Sequence, residues 1–155
     1  MTANEIALTA VKALDSKKGQ DIKCLETGHL TTLADYFVLC TATSTTQIKA
    51  LADVCEKALK DAGEPPHHVE GHRGGTWILL DFSSVVVHIF NEEAREFYDL
   101  ERLWSDAAPV DLSGVLTENY RKKARRDSRR AFFARRGNQT ARPCIYRVSG
   151  QRRTR

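Results

Sequence analysis

Apolar positions divide the first hundred residues into stretches of helical and of strand-like period. Ile6, Ala7, Ala10, Val11 and Leu14 recur at helical spacing, so one stripe of that segment is built for burial. Thr2 and Glu5 precede it at capping-box spacing, where each side chain can satisfy a backbone N–H that the first turn leaves unpaired. Lys17, Lys18 and Gly19 supply a positive last turn and a stop. Ile22 to Leu25 then reads as a short strand and Gly28 as a turn. Tyr36 to Thr41 is continuously apolar and β-prone, the pattern of a strand covered on both faces. Ser44 and Gln47 repeat the capping-box spacing ahead of a second helix. Its buried face is traced by Ile48, Leu51, Ala52, Cys55, Ala58, Leu59 and Ala62, and Gly63 ends it.

Pro65 and Pro66 forbid helix continuation, and His67 to Glu70 is short and extended. Two strands follow, Trp77 to Phe82 and Val85 to Phe90, and the tight Ser83-Ser84 connection predicts that they pair antiparallel. Alternation sets Trp77, Leu79 and Asp81 on one face of the first, and Val86, His88 and Phe90 on one face of the second. The opposite faces, Ile78, Leu80, Phe82 and Val85, Val87, Ile89, are wholly apolar core. Asn91 is placed to cap a third helix, with Glu92 and Glu93 in its first turn and Phe97, Tyr98, Leu100, Leu103 and Trp104 forming its apolar side. The order α-β-β-α-β-β-β-α predicts an α/β (α+β) fold, a mixed sheet of about five strands with helices mainly on one face. That arrangement leaves the other face open. Trp77, Asp81, His88 and Phe90 would gather there, aromatic anchors among a few polar groups, which is the composition of an interface.

Charge sharpens the picture. Residues 1–113 hold 10 basic and 18 acidic side chains, a net of −8, whereas residues 114–155 hold 14 basic and 2 acidic, a net of +12. The shift predicts a domain over 1–113 and an Arg-rich tail over 114–155, disordered or marginally helical because it has few apolar residues to bury. Its Arg121, Lys122, Lys123, Arg125, Arg126, Arg129 and Arg130 form a candidate RNA contact. No apolar run approaches the roughly 20 residues of a membrane span. Glu5 also stands where a secretion signal would be positive, so a cytoplasmic protein is expected. Cys24, Cys40, Cys55 and Cys144 have neither metal-pair nor CxxC spacing, and free thiols are expected, most of them buried.

Catalytic patterns are weak. Gly71, Gly74 and Gly75 lack a Walker lysine or a strand–glycine–helix context, and a turn explains them. The hydroxyls of "TATSTTQ" stand where phosphate binds helix N-termini, but capping explains them equally. No GxSxG elbow occurs. His67, His68 and His72 lie on a segment flanked by Pro and Gly, with no carboxylate–histidine motif around them. Glu92-Glu93 reads as first-turn charge, Asp35 and Asp81 are far apart in sequence, and no DxD pair is present. No catalytic residue, metal or cofactor is assigned.

Five blocks, "GQDIKCLE", "DYFVLCTATSTTQIKALAD", "VEG", "WILLDFSSVVVHIF" and "EEAREFYDLERLW", resemble in order and spacing the ribosomal silencing factor (Iojap-like) family, over roughly residues 4–105. The resemblance implies a nucleotidyltransferase-like fold without catalytic carboxylates, and a binding protein in place of an enzyme. It implies a partner, a small β-barrel protein on the joining face of the large ribosomal subunit, and an action, steric exclusion of the small subunit that represses translation. Trp77, His88, Glu92, Arg95 and Tyr98 fall in the matching blocks and carry the implied partner contact, with Trp104 mainly packing. The acidic domain suits a basic ribosomal protein better than naked RNA. Beyond the blocks, the tail has no matched counterpart. A large-subunit assembly factor, or an enzyme keeping nucleotide chemistry, are the alternatives, and self-association of the free protein into a homodimer stays open.

Overall fold

The stripe that begins at Ile6 forms α1, Ala3–Ser16, in a computed structural model that describes residues 1–71 and 73–117. Its capping box closes in both directions. The Glu5 N–H donates to Thr2 Oγ1 at 3.3 Å, and the Thr2 N–H donates to Glu5 Oε2 at 2.7 Å. Bonds from the Thr2 backbone, then from its hydroxyl, hold the Glu5 carboxyl below its usual pKa. The stop differs from expectation. Lys18, not Gly19, adopts the left-handed backbone, at φ 60°. Gly19 is small for a packing reason, since a Cβ there would lie 2.6 Å from Cys40 Sγ.

The strands are β1 Gln20–Glu26, β2 Tyr36–Ala42, β3 His68–Glu70, β4 Trp77–Asp81, β5 Val85–Asn91 and β6 Ala108–Pro109. They form one mixed sheet of order β3-β4-β5-β2-β1-β6, in which β2 and β5 are parallel and the other pairs antiparallel. The tight Ser83-Ser84 connection yields the predicted hairpin, with Trp77 opposite Phe90 and Leu79 opposite His88. The sixth strand was not expected. Two edge residues, one of them proline, leave no alternation to read.

Helix α2, Thr45–Asp61, follows β2 directly. Ser44 Oγ accepts from the Gln47 N–H, but the Gln47 side chain reaches back to the Thr43 N–H and not to its cap, so this box is shifted by one residue. Helices α1 and α2 lie on one sheet face, where Leu14, Leu51 and Leu59 meet Val38, Ile78, Leu80, Val87 and Ile89. This is the main core, and its most central side chains are wholly excluded from water.

The third helical segment does not run through. It forms α3, Glu92–Tyr98, and α4, Leu100–Leu103, separated by Asp99 at φ 42°. The break reorients the chain, so Ala94, Leu100, Trp104 and Ala107 pack against Leu25, Leu39 and Phe90 on the second face of the sheet. The expectation that this face stays open is therefore corrected: α3 and α4 cover much of it, because its own apolar side chains need a cover.

Beyond the compositional boundary at residue 113, Leu116 joins the main core, and the Thr117 N–H donates to the buried Asp15 carboxylate at 2.8 Å. The proposed RNA-contact residues Arg121, Lys122, Lys123, Arg125, Arg126, Arg129 and Arg130, together with Cys144 and His72, lie outside the described residues.

Candidate functional site

The second sheet face places Trp77 and His88 on adjacent antiparallel strands, diagonal to one another and close enough for large side chains to touch. The Trp77 indole N–H donates to His88 Nδ1 at 3.2 Å. The indole also stacks on Phe90, with centroids 5.3 Å apart, and meets the Tyr98 ring at 4.7 Å. Tyr98 in turn makes an edge contact with Phe97 at 5.2 Å. The aromatic column thus rises from the buried Phe90 through the half-buried Trp77 to the surface of α3.

At the top of this column three large apolar side chains face solvent within seven positions. Phe97 is 82% exposed, Tyr98 48% and Leu103 68%. The sequence pattern assigned Phe97 and Leu103 to the buried side of a continuous helix. The left-handed turn at Asp99 defeats that reading, because it restarts the helical phase and gives the inward positions to Leu100 and Trp104. Clustered exposed apolar groups of this kind mark interaction surfaces.

The expected site residues separate into two groups. Trp77 and Tyr98 stand in the exposed aromatic cluster. His88 does not reach the surface: it is 6% exposed, stacked with Phe90 and tilted against Phe37, so the expectation of a direct partner contact is corrected for this residue. Burial lowers its pKa to about 4 and keeps the ring neutral near pH 7. Trp104 packs against Phe37 at 5.2 Å.

Glu92 and Arg95 line a neighbouring crevice of about 590 Å³ at the carboxyl ends of the parallel strands β2 and β5. Glu92 is exposed there, whereas the Arg95 side chain is only 11% exposed and is fully engaged. Its Nη1 donates to the Asp21 carbonyl at 2.6 Å and to Thr41 Oγ1 at 2.7 Å, and its Nε donates to Glu101 Oε1 at 2.9 Å. Lys23 bonds the other oxygen of Glu101 at 3.0 Å. Partial burial pushes the Glu101 carboxyl up, but the bonds from Arg95 and Lys23 outweigh it and hold the pKa below its usual value. Arg95 therefore ties α3 to α4 and both to the bulged start of β1.

Replacing Arg95 with methionine should cost roughly 2 kcal/mol of folding stability, since several charge-assisted bonds go and Glu101 loses a partner. Lysine should recover only part, because one ammonium cannot span three acceptors. Urea denaturation of both variants measures this, and wild-type stability in Arg95→Met would refute the tie.

The crevice is otherwise acidic, carrying Asp21, Glu93, Glu96 and Asp99 besides Glu92 and Glu101. Among the described residues no group of His, Cys, Asp and Glu is arranged to hold a metal ion. Cys24, Cys40 and Cys55 are buried free thiols. Desolvation raises Cys24 and Cys40 to about 12 and Cys55 higher still, so none offers a thiolate nucleophile.

The family model for "Ribosomal silencing factor during starvation" matches residues 1–137, well past the blocks recognised in the sequence and into the basic tail. The ribosomal silencing factor RsfS of Chromobacterium violaceum is 40% identical over 74% of this chain and 94% of its own. A crystal structure of a protein from the same organism superposes with a TM-score of 0.67 at 39% identity, covering 74% of this chain and 96% of that one. A mouse protein named for mitochondrial assembly of the ribosomal large subunit is 33% identical over 61% of this chain and 43% of its own.

Proposed function

We propose, from the premise that this chain belongs to the ribosomal silencing factor family, that it represses translation by docking on the large ribosomal subunit and excluding the small one. The contact runs through the exposed aromatic and apolar cluster of Trp77, Phe97, Tyr98 and Leu103 to a small β-barrel protein of the joining face. The observation that carries this reading is the exposure of Phe97, Tyr98 and Leu103 beside a crevice whose rim is acidic. Apolar anchors give affinity, and an acidic rim selects a basic ribosomal protein over bare phosphate. Glu92 belongs to that rim. Arg95 acts by holding α3 and α4 in place.

Sucrose-gradient sedimentation tests the reading. Added protein should shift mature large subunits out of joined ribosomes and co-sediment with them. A second reading, assembly of the large subunit, is favoured by the name of the mouse relative. It shares the docking face and differs in timing, so the protein would then follow immature particles.

The mechanism has no catalytic step, and the protein acts in the cytoplasm. No described helix is long and apolar enough to cross a membrane. When no ribosome is available, the same exposed cluster pairs two copies into a homodimer.

The basic tail adds an electrostatic contact to ribosomal RNA. Glutamine at Arg121, Lys122, Lys123, Arg125, Arg126, Arg129 and Arg130 in the full chain should flatten the dependence of log affinity on log salt by roughly one unit for each phosphate no longer neutralised. Identical salt slopes for the variant and the wild type would remove the tail from the mechanism.

A further inference from the structure

The buried histidine beneath the aromatic column is not needed for core volume, since any apolar side chain of similar size would fill its place. What distinguishes it is one directed bond. An indole N–H can only donate, so the His88 Nδ1 that receives it at 3.2 Å must carry the lone pair, and the ring proton sits on Nε2. The stacked Phe90, 5.8 Å away with planes 7° apart, and the tilted Phe37, 5.5 Å away, fix the imidazole plane and so aim that lone pair. The bond is part-buried, so removing the acceptor would take from the indole N–H the side-chain partner it has there.

The same indole also carries Tyr98. Any turn of the indole about its side-chain bonds would therefore move Tyr98, and Phe97 with it. The neutral state that this bond requires is supplied by burial, which keeps the ring unprotonated well below pH 7.

We infer that His88 is a positioning residue of the docking face: its Nδ1 locks the orientation of Trp77, and through Trp77 the platform of Tyr98 and Phe97, without itself touching the partner. This rests on the docking reading given above, and it adds a residue that acts from beneath the surface.

Two full-length variants separate the bond from the volume. His88→Phe keeps an aromatic ring and removes the acceptor. His88→Asn places its amide oxygen where Nδ1 stood. Two signals are followed: the indole N–H resonance of Trp77, assigned against Trp77→Phe, and co-sedimentation with large subunits.

In His88→Phe the resonance should shift and its exchange with solvent should accelerate by about tenfold or more, while subunit affinity falls roughly fivefold to tenfold. His88→Asn should recover most of both. In a Trp77→Phe background, where no indole N–H remains, His88→Phe should cost no further affinity. A purely structural role would not give that coupling.

Unchanged resonance and affinity in His88→Phe would overturn the inference, as would an equal further loss in the Trp77→Phe background. Wild-type binding by both Trp77→Ala and Tyr98→Ala would instead remove the docking reading. The indole resonance then decides on its own whether His88 orients Trp77.

Discussion

Replacing Trp77 with alanine should weaken the proposed large-subunit contact by on the order of 2 kcal/mol or more, about a thirtyfold loss of affinity. The reason lies in what the ring supports. Its indole stacks on Phe90, bonds His88 and holds Tyr98 at 4.7 Å, so its removal takes away one apolar surface and releases another. Tyr98→Ala is the cleaner companion, since a ring 48% exposed contributes less to folding and its loss should register mainly in binding. Co-sedimentation over a titration of purified large subunits gives the affinity, and thermal melting shows whether each variant is folded. If both folded variants retain wild-type affinity, the docking face lies elsewhere.

Acid should destabilise the protein through His88 in a window separate from that of its carboxylates. The folded ring has its pKa lowered from 6.5 to about 4 by burial. Between those values the unfolded ring holds a proton that the folded ring does not, so unfolding takes up a proton. Stability is then fully present above about pH 6.5 and lost as pH falls toward 4, by a total of about 3 kcal/mol from this group. Glu101 acts lower. Its carboxyl is held below the usual glutamate range, so its share is lost only as pH falls beneath that range. Urea denaturation of wild type and His88→Phe at several pH values between about 7 and 4 isolates the histidine's contribution. The wild type should lose stability faster than the variant on descending through the window. Parallel pH profiles would show that the ring is protonated in place without penalty.

Much of the architecture follows from short-range patterns. The stripe from Ile6 to Leu14 and the stripe from Ile48 to Leu59 became α1 and α2, because a helix buries what recurs at its period. The alternation in 77–82 and 85–90 gave the two faces of the hairpin and the tight Ser83-Ser84 connection its antiparallel pairing, and Ser44 and Asn91 cap their helices as their side chains allow. The five sequence blocks pointed to the family to which the chain belongs. Trp77 was a candidate anchor both by alternation and by its place in those blocks, and Tyr98 by its place in the blocks alone.

The remaining features depended on what each face meets. His88 and Phe90 share the alternation of Trp77, yet alternation says only which side a residue takes, and not how deeply the covering layer buries it. That layer is set by Asp99, whose left-handed backbone breaks one apparent helix into two. The break turns Leu100 and Trp104 inward and leaves Phe97 and Leu103 outside. Arg95, which sequence placed at the partner, is drawn inward by Asp21, Thr41 and Glu101, groups up to 74 positions away along the chain. The sequence by itself determined the elements, their pairing within the hairpin and the family, since those rest on local period and spacing. Only the tertiary structure decided which aromatic side chains reach the surface and which lie beneath it, because exposure depends on long-range packing against α3 and α4.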